Sequence, residues 1–216
     1  TKWNVNIDYI KEESESTGHA IIQVNKDGEN SIIIHGGANR AFESNQIDMI
    51  LKNFNQGDIL LLQNEINKIP EIIEKAKNIG MKIFFNPAPM TKEVLNYPID
   101  LVDCLIVNES EAKKLTGEDL DSDEIINLLK NKYSNTSILL TLGEKGSIYS
   151  YKTKYLKCEA MKVKAIDTTA AGDTFIGYFI SHLSRDKEIK DCLSIASKAA
   201  SICVTKKGGA ISIPKI

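Results

Sequence analysis

Four short apolar runs, separated by stretches with helical periodicity, constrain the fold of this chain more than any other feature. The runs are "DILLLQ" (58–63), "KIFFN" (82–86), "CLIVN" (104–108) and "SILLT" (137–141). Near-continuous apolar strands that alternate with helices are typical of a mostly parallel sheet covered on both faces, because both faces of such strands are buried. The sequence therefore predicts an α/β fold of the three-layer α/β/α, Rossmann-like type.

An apolar hairpin precedes the four runs. Its strands are "TGHAIIQV" (17–24) and "SIIIH" (31–35), and Asp27-Gly28 between them is a turn signal. Such a hairpin forms part of a sheet or a flap over a site. We predict a hairpin region over residues 5–37 and an α/β domain over 38–216. Because the strands are apolar on both faces, we also expect the hairpin to form a homodimer in the complete protein.

Composition argues against several classes of function. The net charge is −2, without the basic block that a nucleic-acid-binding surface needs. The longest apolar runs are far shorter than a membrane span, and no signal peptide precedes the first strand. We therefore expect a cytoplasmic protein without nucleic acid or membrane partners. The four cysteines are scattered without a C-x-x-C pair, which favours buried free thiols over a zinc site.

Polar or glycine-rich residues follow each apolar run. They are Asn64-Glu65, "PAP" (87–89), "ESE" (109–111) and "LGEKG" (142–146). In an open α/β sheet, ligands bind beyond the carboxyl ends of the strands, so these residues predict a site built from strand ends. "TLGEKG" (141–146) is similar to a nucleotide loop. It lacks both the P-loop and the dinucleotide patterns, however, and a plain turn between two strands explains it about as well.

An amide and a carboxylate stand three residues apart in "NESE" (108–111). Asn108 and Glu111 would share one face of the first turn of a helix. That spacing suits Mg²⁺, which takes few protein carboxylates together with phosphates. Capping of the helix by Asn108 is the competing interpretation.

Small residues come directly before an aspartate in "DTTAAGDTF" (167–175). A helix follows, so they lie at its N-terminus, where unpaired N–H groups and the helix dipole attract an anion that can approach closely. Asp173 beside that anion fits phosphoryl transfer to a hydroxyl, because the amides hold the phosphates while the carboxylate accepts the proton. A capping aspartate, with small residues for helix–sheet packing, is the alternative.

Together these motifs resemble the ribokinase-like (PfkB) sugar kinases. "DTTAAGDTF" resembles the D-T-x-x-A-G-D signature of that family, "NESE" its N-x-x-E motif and "TLGEKG" its T-x-G-x-x-G loop. "NPAP" (86–89), the hairpin and the tail "VTKKGGAISIP" also recur in the same order. The resemblance implies a ribokinase fold with a small β-strand lid over residues 5–37 and an α/β nucleotide-binding domain over 38–216. It also implies an ATP-dependent kinase that phosphorylates a sugar hydroxyl, with D-ribose the expected acceptor and D-ribose 5-phosphate the product.

The resemblance also implies roles for individual residues. The expected catalytic base is Asp173, and the expected anion hole is Ala170, Ala171 and Gly172. Asn108 and Glu111 are expected to organise Mg²⁺ and phosphate, Glu111 through water, and Glu65 is expected to contact the sugar. The expected ATP-binding residues also include Thr141, Gly143, Glu144, Lys145, Gly146 and Ser197. The expected K⁺ ligands are Asp167, Thr169, Cys203, Lys206, Gly208 and Ser212.

The chain departs from the family pattern on its N-terminal side. Members carry an earlier segment in which an Asp and a G-G-x-x-x-N motif grip the sugar, and "GGANR" (36–40) is not that motif. We therefore expect the 216-residue chain alone to bind nucleotide weakly and to phosphorylate no free sugar. The alternatives are a kinase for a fructose phosphate or a nucleoside, a non-catalytic nucleotide-binding remnant, and a dinucleotide-binding protein. The last of these would need the G-x-G-x-x-G motif that is missing here.

Overall fold

The structure, a computed structural model, describes residues 4–24 and 30–216. The described residues form a two-stranded sheet and a six-stranded sheet. The strands are β1 (His19–Val24), β2 (Asn30–His35), β3 (Ile59–Gln63), β4 (Lys82–Asn86), β5 (Cys104–Asn108), β6 (Ser137–Thr141), β7 (Ser147–Tyr151) and β8 (Lys154–Cys158).

The larger sheet runs in the order β3-β4-β5-β6-β7-β8, which is also the order along the chain. β3 to β6 are parallel, and β7 and β8 are antiparallel to their neighbours. The parallel strands are the four apolar runs, and a crossover connection joins each of them to the next. The predicted α/β fold with a mostly parallel sheet is therefore confirmed.

Six α-helices accompany this sheet in the described part of the chain. They are α1 (Ser44–Leu51), α2 (Ile69–Ile79), α3 (Glu109–Thr116), α4 (Ser122–Lys132), α5 (Ala171–Leu183) and α6 (Ile189–Cys203). Their ends carry the expected signals. Pro70 lies in the first turn of α2, Gly80 closes that helix in the left-handed conformation, and the Asp121 side chain caps α4.

The helices cover the sheet in two layers, because strand residues alternate between two apolar cores. On one face, Phe85, Leu105 and Leu140 pack with residues of α1 to α4. On the other face, Ile106 and Leu139 pack with α5 and α6. This arrangement confirms the three-layer α/β/α architecture. It also places α3 and α5 on opposite faces of the sheet, with the N-termini of both at the carboxyl ends of the strands.

Short 3₁₀ segments are the part of the fold that the sequence did not predict. They span Gly37–Arg40, Lys92–Asn96, Ile99–Leu101 and Gly143–Lys145. Segments of three to five residues are too short to show an apolar period, so periodicity alone cannot find them.

The smaller sheet is the predicted hairpin, with β1 antiparallel to β2 and His19 opposite His35. Ile21, Ile33 and Ile34 are exposed in it. The turn signal Asp27-Gly28 lies outside the described residues. The division into a lid and an α/β domain stays a prediction. No helix in the described ranges is long and apolar enough to cross a membrane.

Candidate active site

A pocket of about 340 Å³ lies at the carboxyl ends of the parallel strands. This is the edge at which an open α/β sheet binds ligands. Seven residues predicted from the sequence line it: Glu65, Asn108, Glu111, Thr141, Ala170, Gly172 and Asp173. The lining also includes Ala88, from the predicted "PAP" segment, and five residues that were not predicted: Gln63, Asn86, Ile106, Val107 and Ile176.

The N-terminus of α5 forms one wall of the pocket. Ala170 caps the helix with a φ of 60°, a left-handed conformation that is uncommon for a residue with a side chain. The amide of Ala171 donates to the carbonyl of Thr168 at 3.2 Å. Within residues 4–24 and 30–216, the amides of Gly172 and Asp173 donate to no acceptor. These two N–H groups therefore remain available to an anion in the pocket.

Asn108 and Glu111 form a capping box at the start of α3. The Asn108 side chain accepts from the amide of Glu111 at 2.9 Å, and Glu111 Oε2 accepts from the amide of Asn108 at 3.0 Å. The capping interpretation is thus realised, and both side chains also line the pocket. Burial raises the pKa of Glu111, while hydrogen bonds from Asn108 and Asn86 oppose that rise.

The chemistry of this corner fits Mg²⁺. The described residues include no group of three or more His, Cys, Asp or Glu side chains that could enclose a metal. Mg²⁺ does not require such a cage, because it is usually held by one or two carboxylates, waters and substrate phosphates. Glu111 is 7% exposed at the pocket wall, which suits contact with a hydrated ion through water.

The segment "TLGEKG" closes a loop between β6 and β7. Thr141 lines the pocket, whereas Gly143, Glu144, Lys145 and Gly146 lie beyond its lining. The amide of Leu142 donates to the carbonyl of Gly146 at 2.8 Å, which closes the loop. Lys145 forms an ion pair with Glu109 at 3.6 Å, so the loop is tied to the first turn of α3.

Two further residues with predicted contacts are Ser197, which lies outside the pocket, and Glu65, which lies at its rim. Ser197 is 6% exposed on α6, and its hydroxyl donates to the carbonyl of Glu159 at 3.3 Å. It does not line the pocket, and its contact with adenine stays a prediction. Glu65 is exposed at the rim, next to buried Asn64, whose side chain donates to the carbonyl of Pro89.

The predicted K⁺ ligands lie together behind the N-terminus of α5. Asp167 accepts from the amides of Thr169 and Gly208, each at 2.9 Å. These bonds, with that from Gly208 the largest contribution, lower the pKa of Asp167 to about 2. The Cys203 thiol lies 3.0 Å from the Ser212 hydroxyl and donates to the carbonyl of Thr169 at 3.8 Å.

Lys206 joins this group through its amide, which donates to the carbonyl of Cys203 at 3.1 Å. An ionised carboxylate, a hydroxyl and several carbonyls within one hydrogen-bonded cluster are the oxygen donors that a hard monovalent cation takes. The residues therefore fit K⁺, and their role as its ligands stays a prediction.

Comparison with known proteins identifies the family. The model of the pfkB family of carbohydrate kinases matches residues 1–216. The chain belongs to this family. A ribokinase of Staphylococcus aureus is 37% identical over 212 residues, which are 95% of this chain and 69% of that protein. A deoxyribokinase of Salmonella typhi is 32% identical over 99% of this chain and 72% of that protein.

The structural comparison agrees with the family match. The structure of Arabidopsis thaliana ribokinase complexed with ribose and ATP superposes with a TM-score of 0.78 and 31% sequence identity. The alignment covers 93% of this chain and 67% of the Arabidopsis chain. The pfkB match confirms the resemblance inferred from the four motifs, and the superposition confirms the fold.

Proposed function

We propose that the protein is an ATP-dependent sugar kinase that phosphorylates a hydroxyl of D-ribose. One observation carries the proposal: Asp173 stands in the pocket directly beside the open amides of the α5 N-terminus. A carboxylate next to an anion site is the pair that phosphoryl transfer to an alcohol needs. Family membership supports the same reaction class.

The pocket residues have separate roles in this reaction. The amides of Gly172 and Asp173 bind phosphate oxygens, while Asp173 accepts the proton that the sugar hydroxyl releases. Glu111 and Asn108 would hold Mg²⁺, which when bound supplies positive charge to the phosphates. Thr141 and the loop over residues 142–146 would bind the nucleotide, and Ser197 would approach the adenine.

Ribose is the proposed acceptor because ribokinases recur among the relatives and because Glu65 offers a carboxylate to sugar hydroxyls at the pocket rim. The deoxyribokinase relative makes 2-deoxyribose the second candidate acceptor. Fructose phosphates and nucleosides remain the wider alternatives within the family.

An ADP-release assay on the complete protein tests the proposal. Ribose, 2-deoxyribose, a fructose phosphate and adenosine are supplied separately with MgATP. We expect the highest kcat/KM with ribose. Equilibrium dialysis with labelled ATP and labelled ribose distinguishes a non-catalytic remnant, which would bind ATP and release no ADP with any acceptor. That result would overturn the proposed function.

We further propose that K⁺ activates the enzyme through the loop that precedes α5. Asp167 and the Thr169 carbonyl adjoin Ala170, so an ion held there fixes the backbone that the phosphates meet. Replacing K⁺ by Li⁺ at constant ionic strength should lower activity by ~5-fold or more, the lower end of usual coupling between two sites. Equal activity in K⁺-free, Li⁺-containing buffer would show that the cluster binds no activating cation.

We propose that the hairpin of β1 and β2 forms a homodimer in the complete protein. Ile21 and Ile33 are directly paired across the strands and are 54% and 58% exposed, and Ile34 is exposed as well. We expect light scattering to give twice the protomer mass, and Ile33→Asp to shift it to the monomer. Met49→Asp is the control, because Met49 is equally exposed on α1. A monomeric wild type at high micromolar concentration would contradict the proposal.

We propose that the protein is cytoplasmic. The described structure has four free cysteines, of which Cys104, Cys192 and Cys203 are buried. This agrees with the prediction of free thiols, and free thiols suit a reducing compartment.

A further inference from the structure

Two side-chain amides connect two carboxylates of the pocket, those of Asp173 and Glu111. We propose that Gln63, supported by Asn86, is a positioning residue that holds the carboxylate of Asp173 in place and links it to Glu111. The inference rests on the proposed function, because it concerns the same base and the same Mg²⁺ corner. It assigns a role to two residues to which the sequence analysis gave none.

The link is a continuous chain of hydrogen bonds. Gln63 Nε2 donates to Asn86 Oδ1 at 2.9 Å and to Asp173 Oδ1 at 3.4 Å. Asn86 Nδ2 donates to the carbonyl of Ile106 at 2.9 Å and to Glu111 Oε2 at 3.3 Å. All four N–H bonds of the two amides thus point at acceptors.

The acceptors determine how both amides are oriented. A backbone carbonyl can only accept, so the nitrogen of Asn86 must face Ile106. The oxygen of Asn86 then faces Gln63, which must present its nitrogen in return. The second proton of that nitrogen is directed at Asp173. Either amide reversed would place oxygen against oxygen, so the network has one consistent arrangement.

The strands hold the amides rigidly. Gln63 and Asn86 are the last residues of β3 and β4, and they are partners in the parallel register. Asn86 is 7% exposed and Asp173 is exposed. An exposed aspartate can rotate among several rotamers. Gln63 is the partner of its carboxylate within the described residues, so Gln63 restricts that rotation.

Restricting Asp173 has a direct consequence for proton transfer. The bond from Gln63 engages Oδ1 and leaves Oδ2 for the sugar hydroxyl. The proton therefore passes to Oδ2, and a small displacement of this oxygen from the sugar hydroxyl would greatly lower the rate of transfer. Because Asn86 also bonds Glu111, a shift at the Mg²⁺ corner reaches Asp173 through two rigidly held amides.

Three variants of the complete protein test the inference. Gln63→Leu keeps the side-chain volume and removes both donors, and Gln63→Glu keeps the shape and places a second carboxylate beside Asp173. Gln56→Leu is the matched control, since Gln56 lies exposed in the turn before β3, at the opposite end of the strand. Steady-state kinetics with ribose and ATP, and thermal unfolding, are measured for each.

Gln63→Leu should lower kcat by ~10-fold, as expected for one lost hydrogen bond to a charged group, with KM for ATP within about twofold. Gln63→Glu should lower kcat at least as far. In an Asp173→Asn background, Gln63→Leu should change the residual rate by less than about twofold, because the two residues act as a unit. Gln56→Leu should leave kcat unchanged.

Several outcomes would overturn the inference. A merely structural Gln63 would lose activity equally in the Asp173→Asn background, whereas a residue that positions Asp173 cannot be replaced by a second carboxylate at wild-type kcat. Wild-type kcat in Gln63→Glu, or a full effect of Gln63→Leu without Asp173, therefore excludes a positioning role. A wild type that releases no ADP with any acceptor would instead overturn the proposed function itself.

Discussion

Asp173→Asn should abolish phosphoryl transfer by the complete protein while ATP binding persists. The amide that replaces the carboxylate has nearly the same size but cannot accept the hydroxyl proton at neutral pH. A general base contributes at least ~10²-fold, so kcat should fall by that factor or more. ADP-release kinetics measure the loss, and equilibrium dialysis with labelled ATP measures the binding that remains.

Asp191→Asn is the control for this substitution. Asp191 is exposed and occupies the third position of α6, as Asp173 does in α5. Both substitutions remove one negative charge from the first turn of a helix, so their effects on helix stability should be similar. Only Asp173 lies in the pocket. Near-wild-type turnover in Asp173→Asn would show that another group accepts the proton.

Gly146→Ala should destabilise the fold and weaken ATP binding through the loop between β6 and β7. Gly146 has a φ of 100°, and an added Cβ would overlap the carbonyl oxygen of Cys158 and lie 2.8 Å from the amide nitrogen of Ala160. The obstacle is backbone of the neighbouring segment, which cannot turn aside as a side chain can. We expect a loss of at least ~2 kcal/mol in the free energy of unfolding.

Gly143→Ala distinguishes the effect of the steric clash from the effect of the left-handed backbone conformation. Gly143 also has a positive φ, of 56°, but an added Cβ would meet nothing within 4 Å. It should therefore lose only about 1 kcal/mol, the cost of a left-handed alanine. Urea unfolding and ATP titration compare the two variants. Equal losses would mean that close packing against residues 158–160 does not hold the loop.

The fold could be predicted because the apolar pattern of the strands and the order of strands and helices indicate the same architecture. The apolar runs of β4 to β6 are buried on both faces, and this double burial is what distinguishes a parallel sheet from an amphipathic antiparallel one. The order of helices and strands along the chain then restricts the sheet to few possible topologies. The antiparallel pairing of β7 and β8 agrees with the short connections before each of them, since a parallel pair needs a longer connection.

The pocket was predicted only where a motif marked it. Small residues before Asp173, and the spacing of Asn108 and Glu111, have a chemical reason that can be read from sequence. Gln63 and Asn86 were taken as the ends of apolar strands, and their importance depends on which strands are neighbours. A polar amide closing a buried strand was the available signal. It becomes informative once β3 and β4 are known to be adjacent.

The linear order of the strands affects how the chain can assemble during synthesis. Each new strand from β4 to β8 joins the outer edge of those already made, so no strand has to be inserted between two earlier ones. Synthesis and sheet growth can therefore proceed in the same direction. The layer of α5 and α6 is made last. Until it arrives, Phe84, Ile106 and Leu139 have no cover from that layer. A nascent chain that has not reached residue 171 thus exposes an apolar face of its sheet that is prone to aggregation. This is the stage at which we expect a chaperone to protect the chain from aggregation most.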